Sequence, residues 1–151
     1  MNAELLIASN DRQLQRELAS RLFQVGIRAA PAPTPLHLVW GLTARNHEPP
    51  STVLLDARPG AFGIDALEWL REDARHTCLI VLANDGDATA LTRAELAEAA
   101  AVIPVPARPG AILRVVRRVL RGSDAGELLR WTPPRGTPRI PNGSSSITAQ
   151  L

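Results

Sequence analysis

The sequence predicts an α/β fold, a single doubly wound sheet of five parallel strands. Three observations predict it. Short apolar runs recur five times along the chain, and each is followed by a stretch with apolar residues at helical spacing. With 151 residues and 45% apolar content, the chain is long enough for one core and too short for two. Strands that alternate with helices pair in parallel and are covered on both faces.

The elements follow in order. Leu5 to Ala8 reads as the first strand, and Asp11 caps a helix in which Leu14, Leu18, Leu22 and Val25 recur at spacings of four and three, with Gly26 as the stop. Ile27 to Ala30 is a weak second strand. Pro31 to Pro35 reads as a loop, and Thr34 followed by Pro35 suits the start of a helix running toward Arg45. His47 to Ser51 turns the chain back into a third strand, Thr52 to Leu55, and then into a helix, Ile64 to Glu72, that presents Leu67 and Leu70 inward with Trp69 on the flank. Cys78 to Ala83 is the clearest strand. The alanine-rich stretch Ala88 to Ala100 predicts a helix by propensity. Val102 to Val105 is the fifth strand, in which Pro104 points to an edge position or irregular pairing. Pro109 opens the last helix, whose wide apolar stripe ends at Gly122.

Residues 1–122 thus form the predicted domain. From 123 to 151 the sequence is dominated by Pro, Gly, Ser, Thr and Arg, which buries too little to offset ordering entropy, so it reads as a disordered tail or linker. No apolar run approaches the ~20 residues needed to cross a bilayer, and the N-terminus has no basic leader, so a cytoplasmic protein is expected. Cys78 is the only cysteine, which excludes an intramolecular disulfide or a cysteine-rich metal site and reads as a small buried hydrophobe. Every basic residue is arginine. The formal net charge is only +2, so the high pI reflects the lack of lysine and tyrosine rather than a strongly basic chain. Arg108, Arg114, Arg117, Arg118 and Arg121 nevertheless cluster. Such a cluster reads first as a solvated helix face.

The stretch TVLLDARPG places Asp56 where a buried strand meets its loop. Ligands of open parallel sheets gather beyond the carboxyl ends of such strands. Five β-α units with an aspartate closing the third strand resemble the response-regulator receiver domains of bacterial two-component signalling, a flavodoxin-like fold, over about residues 3 to 121. In that family the first strand ends in an acidic pair that binds Mg²⁺, and the third ends in the aspartate that accepts a phosphoryl group. The fourth ends in Thr or Ser and the fifth in Lys-Pro. The matching stretches here are LLIASNDR, TVLLDARPG, LIVLAND and VIPVPARP.

By this resemblance Asp56 holds the phosphoacceptor position. The acidic pair falls on Ser9 and Asn10, leaving Asp11 as the only nearby acid; the hydroxyl position is Ala83, the lysine position Val105, and the aromatic switch position Val102. Pro59 also shortens the loop after Asp56. No cofactor is expected, and Asp11 and Asp56 with the Asn10 carbonyl would hold Mg²⁺ weakly at most. With no lysine in the chain, no fixed cation is expected beside Asp56. Phosphoryl transfer needs a metal and fixed donors to offset developing charge, so phosphorylation is expected to be slow or absent. Bland readings stand beside these: Asp56 caps local N–H groups, and Asp11 is a helix N-cap. Val105-Pro106 sits where the family often keeps a cis peptide.

The resemblance therefore implies a degenerate receiver, a non-enzymatic protein-interaction module. Its expected contact face is built from the fourth helix, fifth strand and fifth helix, with Arg108, Arg114, Arg117 and Arg118 meeting an acidic partner or a second copy. This reading disfavours nucleic acid and membrane, and leaves open whether a histidine kinase acts on the chain. Two alternatives stay open: a phosphorylation-competent response regulator using Asp56 with an altered Mg²⁺ site, and the N-terminal atypical receiver of a larger localisation or ATPase protein.

Overall fold

The computed structural model describes residues 3–43, 49–60, 65–73 and 77–122. Expectations that fall on 123–151, on the segment 44–48 that includes His47, and on Ile64 lie outside the described residues. The elements alternate as β1 (Leu5–Ala8), α1 (Arg12–Gln24), β2 (Ala29–Ala32), α2 (Pro35–Thr43), β3 (Thr52–Asp56), α3 (Asp65–Asp73), β4 (Cys78–Asn84), α4 (Ala88–Leu96), β5 (Ala101–Val105) and α5 (Pro109–Gly122). The strands form one parallel sheet in the order β2-β1-β3-β4-β5.

Strand alternation divides the core in two. Leu6, Val53, Leu55, Val81 and their neighbours meet Leu38 of α2, Leu67 and Leu70 of α3, and Ala90, Leu91 and Ala94 of α4. Leu5, Ile7, Leu54, Ile80, Leu82 and Ile103 meet Leu18 and Leu22 of α1 and Ile112, Val115, Val116 and Val119 of α5. Two helices thus cover one face and three the other. The near-continuous apolar strands are the expected mark of a parallel sheet buried on both sides.

The largest differences from the sequence expectation lie in β2 and α4. β2 begins at Ala29 rather than Ile27, because Ile27 is used to close α1. Its N–H donates to the Leu22 carbonyl at 2.9 Å, and the Gly26 N–H donates to that of Phe23 at 3.0 Å, with Gly26 at φ +83°. This left-handed closure consumes two residues that an apolar pattern assigns to the strand, and it leaves Val25 exposed at the helix end rather than inside. Pro31 then lies within β2 rather than in a loop. The Arg28 carbonyl accepts from the Glu4 N–H on the β1 side, so by alternation the nitrogen of Pro31 faces the open edge, where no ladder bond is lost.

α4 ends at Leu96, four residues short of the alanine run's end. Glu98 adopts φ +58°; its N–H donates to the Glu95 carbonyl at 2.9 Å and that of Ala99 to the Ala94 carbonyl at 3.0 Å. Ala101 is thereby freed to open β5, which is an edge strand, as Pro104 suggested. Cys78, the first residue of β4, is half-buried rather than buried, and burial pushes its thiol pKa up. Trp69 is half-buried and packs against the core. No helix among the described residues is long and apolar enough to cross a membrane.

Candidate functional site

The site lies beyond the carboxyl ends of β1 and β3, which pair directly in the centre of the sheet. β3 carries Asp56 to its last position opposite Leu82 of β4, and the ladder continues through the Ala57 N–H to the Leu82 carbonyl at 2.8 Å. Asp56 is 1% exposed. An ionised carboxylate buried so completely must find donors for its oxygens.

It finds four. Oδ1 accepts from the Arg58 backbone N–H at 3.2 Å and from Arg58 Nε at 2.8 Å. Oδ2 accepts from Ser9 Oγ at 2.7 Å and from Arg58 Nη2 at 2.6 Å. A carboxylate offers about four lone-pair positions, so every acceptor position of Asp56 is taken. The guanidinium approaches with two nitrogens, one on each oxygen, the fork geometry that makes Arg–carboxylate pairs strong.

Arg58 also reaches Asp11, with Nη2 3.3 Å from Oδ2. The other Asp11 oxygen, Oδ1, accepts from the Leu14 N–H at 3.1 Å, which makes Asp11 the N-cap of α1. That backbone donor holds the Asp11 carboxyl below its ordinary pKa; burial opposes it in part, and Arg58 adds to the lowering. Arg58 in turn is held above its already high pKa, chiefly by its hydrogen bonds to Asp56. Ser9 is fixed on both sides. Its Oγ accepts from the Asp11 N–H at 3.0 Å, and its carbonyl accepts from Gln15 Nε2.

The fold brings Ser9, Asn10, Asp11 and Asp56 together at one end of the sheet, but one expectation requires correction. A fixed cation does stand beside Asp56. It comes from two residues downstream, where the turn at Arg58-Pro59-Gly60 folds the side chain back over the strand end, rather than from the position of Val105 on β5. The weak metal set of Asp11 and Asp56 does not fit a divalent ion here. Both carboxylates face the same guanidinium, and no group of three or more His, Cys, Asp or Glu that could hold a metal occurs among the described residues. Asn10 Nδ2 donates to the Gly60 carbonyl at 3.0 Å, which ties the loop after β1 to the loop after β3.

The aliphatic side chains of Ala83, Val102 and Val105 supply no donor. Ala83 and Val102 are buried, and Val105, also buried, closes β5 with its carbonyl accepting from the Asp85 N–H at 3.0 Å. The Val105-Pro106 peptide is cis, as the resemblance to receiver domains implied. Of the interface candidates, Arg108 lies exposed just before α5, and Arg114 and Arg118 are exposed on it while Arg117 is half-buried. α4 lies across the sheet from them; the helix packed beside α5 is α1.

The sequence matches no family model. Nor does any curated relative match. Solved structures do. A response regulator receiver protein from Burkholderia phymatum is 25% identical, with a TM-score of 0.65 over 80% of this chain and 96% of that one. A CheY-like receiver domain protein from Methanospirillum hungatei JF-1 is 18% identical, with a TM-score of 0.69 over 84% and 100%. The response regulator DrrB from Thermotoga maritima, an OmpR/PhoB homolog, is 21% identical with a TM-score of 0.65; the match covers 82% of this chain and 54% of DrrB, about half its length. Five parallel strands in the order β2-β1-β3-β4-β5, and an aspartate closing the third, are thus set in the fold of a response-regulator receiver domain.

Proposed function

We propose that this chain is an atypical receiver, a signalling module of the two-component type that works by protein contact and is not switched by phosphorylation at Asp56. One observation carries the reading: all four acceptor positions of Asp56 are filled, three of them by Arg58. A carboxylate oxygen that attacks phosphorus must present a lone pair, and a metal that offsets the developing charge must find one too. Here both demands meet a guanidinium already in place. Ala83 and Val105 supply neither the hydroxyl nor the ammonium that would steady a bound phosphoryl group.

The same contacts bear on the switch. A ligand shifts a conformational equilibrium only through contacts that differ between the two states. The Arg58 clamp ties β1's loop, β3 and the start of α1 into one arrangement without any added group. The module therefore presents a constant surface to its partner, docking along the β5 edge and the helices that flank it.

The test uses the full chain, incubated with acetyl phosphate and Mg²⁺ and followed by intact mass. The expected result is an unchanged mass for the native chain. A near-stoichiometric phosphate adduct that disappears in Asp56→Asn would overturn the reading.

A further inference from the structure

The sheet topology sorts the helices into two layers, and the layers differ in charge. α1 and α5, which share one face, carry seven arginines against a single carboxylate, Glu17. α2, α3 and α4, on the other face, carry five acidic residues against two arginines. The small net charge of +2 conceals this separation.

On α5, Arg114, Arg117, Arg118 and Arg121 recur at spacings of three, four and seven, opposite the buried Ile112, Val115, Val116 and Val119. They form one outward stripe about 10 Å long at 1.5 Å per residue. With Gly110 and Leu113 they line an open hollow of about 230 Å³. On α1, Arg12 and Arg16 share an outward side with Phe23, which is 76% exposed and the most exposed large apolar residue described. Both helices run antiparallel to the strands, so Phe23 and Arg121 lie at the same end of the layer. None of the seven arginines is within ion-pair distance of a carboxylate among the described residues.

We propose that the α1/α5 layer binds single-stranded nucleic acid, its arginines following successive phosphates and Phe23 stacking on a base. Charge complementarity selects a polyanion, and with no carboxylate paired to them among the described residues the guanidinium forks can make bidentate phosphate contacts. The exposed ring decides between polyanions: a flat aromatic in a basic field is the arrangement that engages unstacked bases. A second copy of the same layer is disfavoured, because it would set arginine against arginine. The proposal goes beyond the reading of Asp56 and does not depend on it.

The test is fluorescence anisotropy of the full chain with a labelled oligothymidylate of about 15 nucleotides, within the site sizes of single-strand binders. Binding is expected at low salt, with a log–log salt slope of about −0.7 per phosphate neutralised. The combined variant Arg114→Gln, Arg118→Gln, Arg121→Gln should lose at least about tenfold in affinity and flatten the slope by about two. Phe23→Ala should weaken binding about fivefold and leave the slope unchanged, since stacking involves no counterion. Absence of binding, or variants that bind like the native chain, would overturn the proposal. So would polyglutamate of matched charge competing as well as the oligonucleotide, which would assign the face to an acidic protein, and so would equal affinity for a duplex.

Discussion

Truncating Arg58 to alanine strips Asp56 of its two side-chain contacts to the guanidinium and leaves the carboxylate with the Ser9 hydroxyl and one backbone N–H. Arg58 is 31% exposed, so water can enter the space, and the expected cost is about 1–3 kcal/mol rather than that of a sealed pair. In a double-mutant cycle with Asp56→Asn by urea unfolding, the coupling between the two side chains should lie at about 0.5–3 kcal/mol, and a coupling near zero would contradict the clamp. Asp11 gives a second prediction at this scale. Its pKa is lowered in the fold, so its contribution is fully present above the unfolded value of about 3.9 and is lost as pH falls through the lower folded value. Asp11→Ala should cost about 0.5–2 kcal/mol near neutrality, as N-cap losses do, and should flatten the fall of stability below about pH 4 in acid titrations of unfolding. Asp56 was legible in the sequence because a strand end at a switch point is where a carboxylate gains meaning. Arg58 was not, because its role depends on a turn folding a side chain backward, and residue spacing across a turn does not fix that direction.

Among the elements, those with strong apolar patterns were legible to within a residue or two, and the misplaced boundaries share a cause. At the ends of α1 and α4 the chain leaves the helix through a left-handed residue, a choice made by hydrogen bonding of the last carbonyls and not by hydrophobic pattern. Gly26 advertised that choice, and Glu98 did not. A non-glycine residue at φ +58° carries a steric penalty, so Glu98→Gly should raise stability by about 0.5–1 kcal/mol, visible as a higher thermal midpoint. An unchanged or lower midpoint would argue that Glu98 makes up the penalty elsewhere. The last turn of α2 supplies the opposite case. A Cβ on Gly41 would meet Leu6 Cδ1 at 2.8 Å, so Gly41→Ala should destabilise by about 1–3 kcal/mol despite alanine's better helix propensity.

For the molecule as a whole, the separation of charge between the two helical layers was invisible in composition, because it exists only once topology decides which helices are neighbours. Seven like charges on adjacent helices repel, and added salt screens them over a Debye length of about 10 Å at 0.1 M. The thermal midpoint should therefore rise from low salt to a few tenths molar sodium chloride and rise less in the Arg114, Arg118, Arg121 triple glutamine variant; a midpoint that is flat or falls with salt would contradict this. The outer margin of the sheet has a consequence of its own. With Pro31 turned outward, β2 offers a passing extended chain few amide hydrogens to grip, so the folded protein is a poor template for fibre growth. Agitated native solutions should stay clear of thioflavin-positive material, and seeding should require unfolded chains.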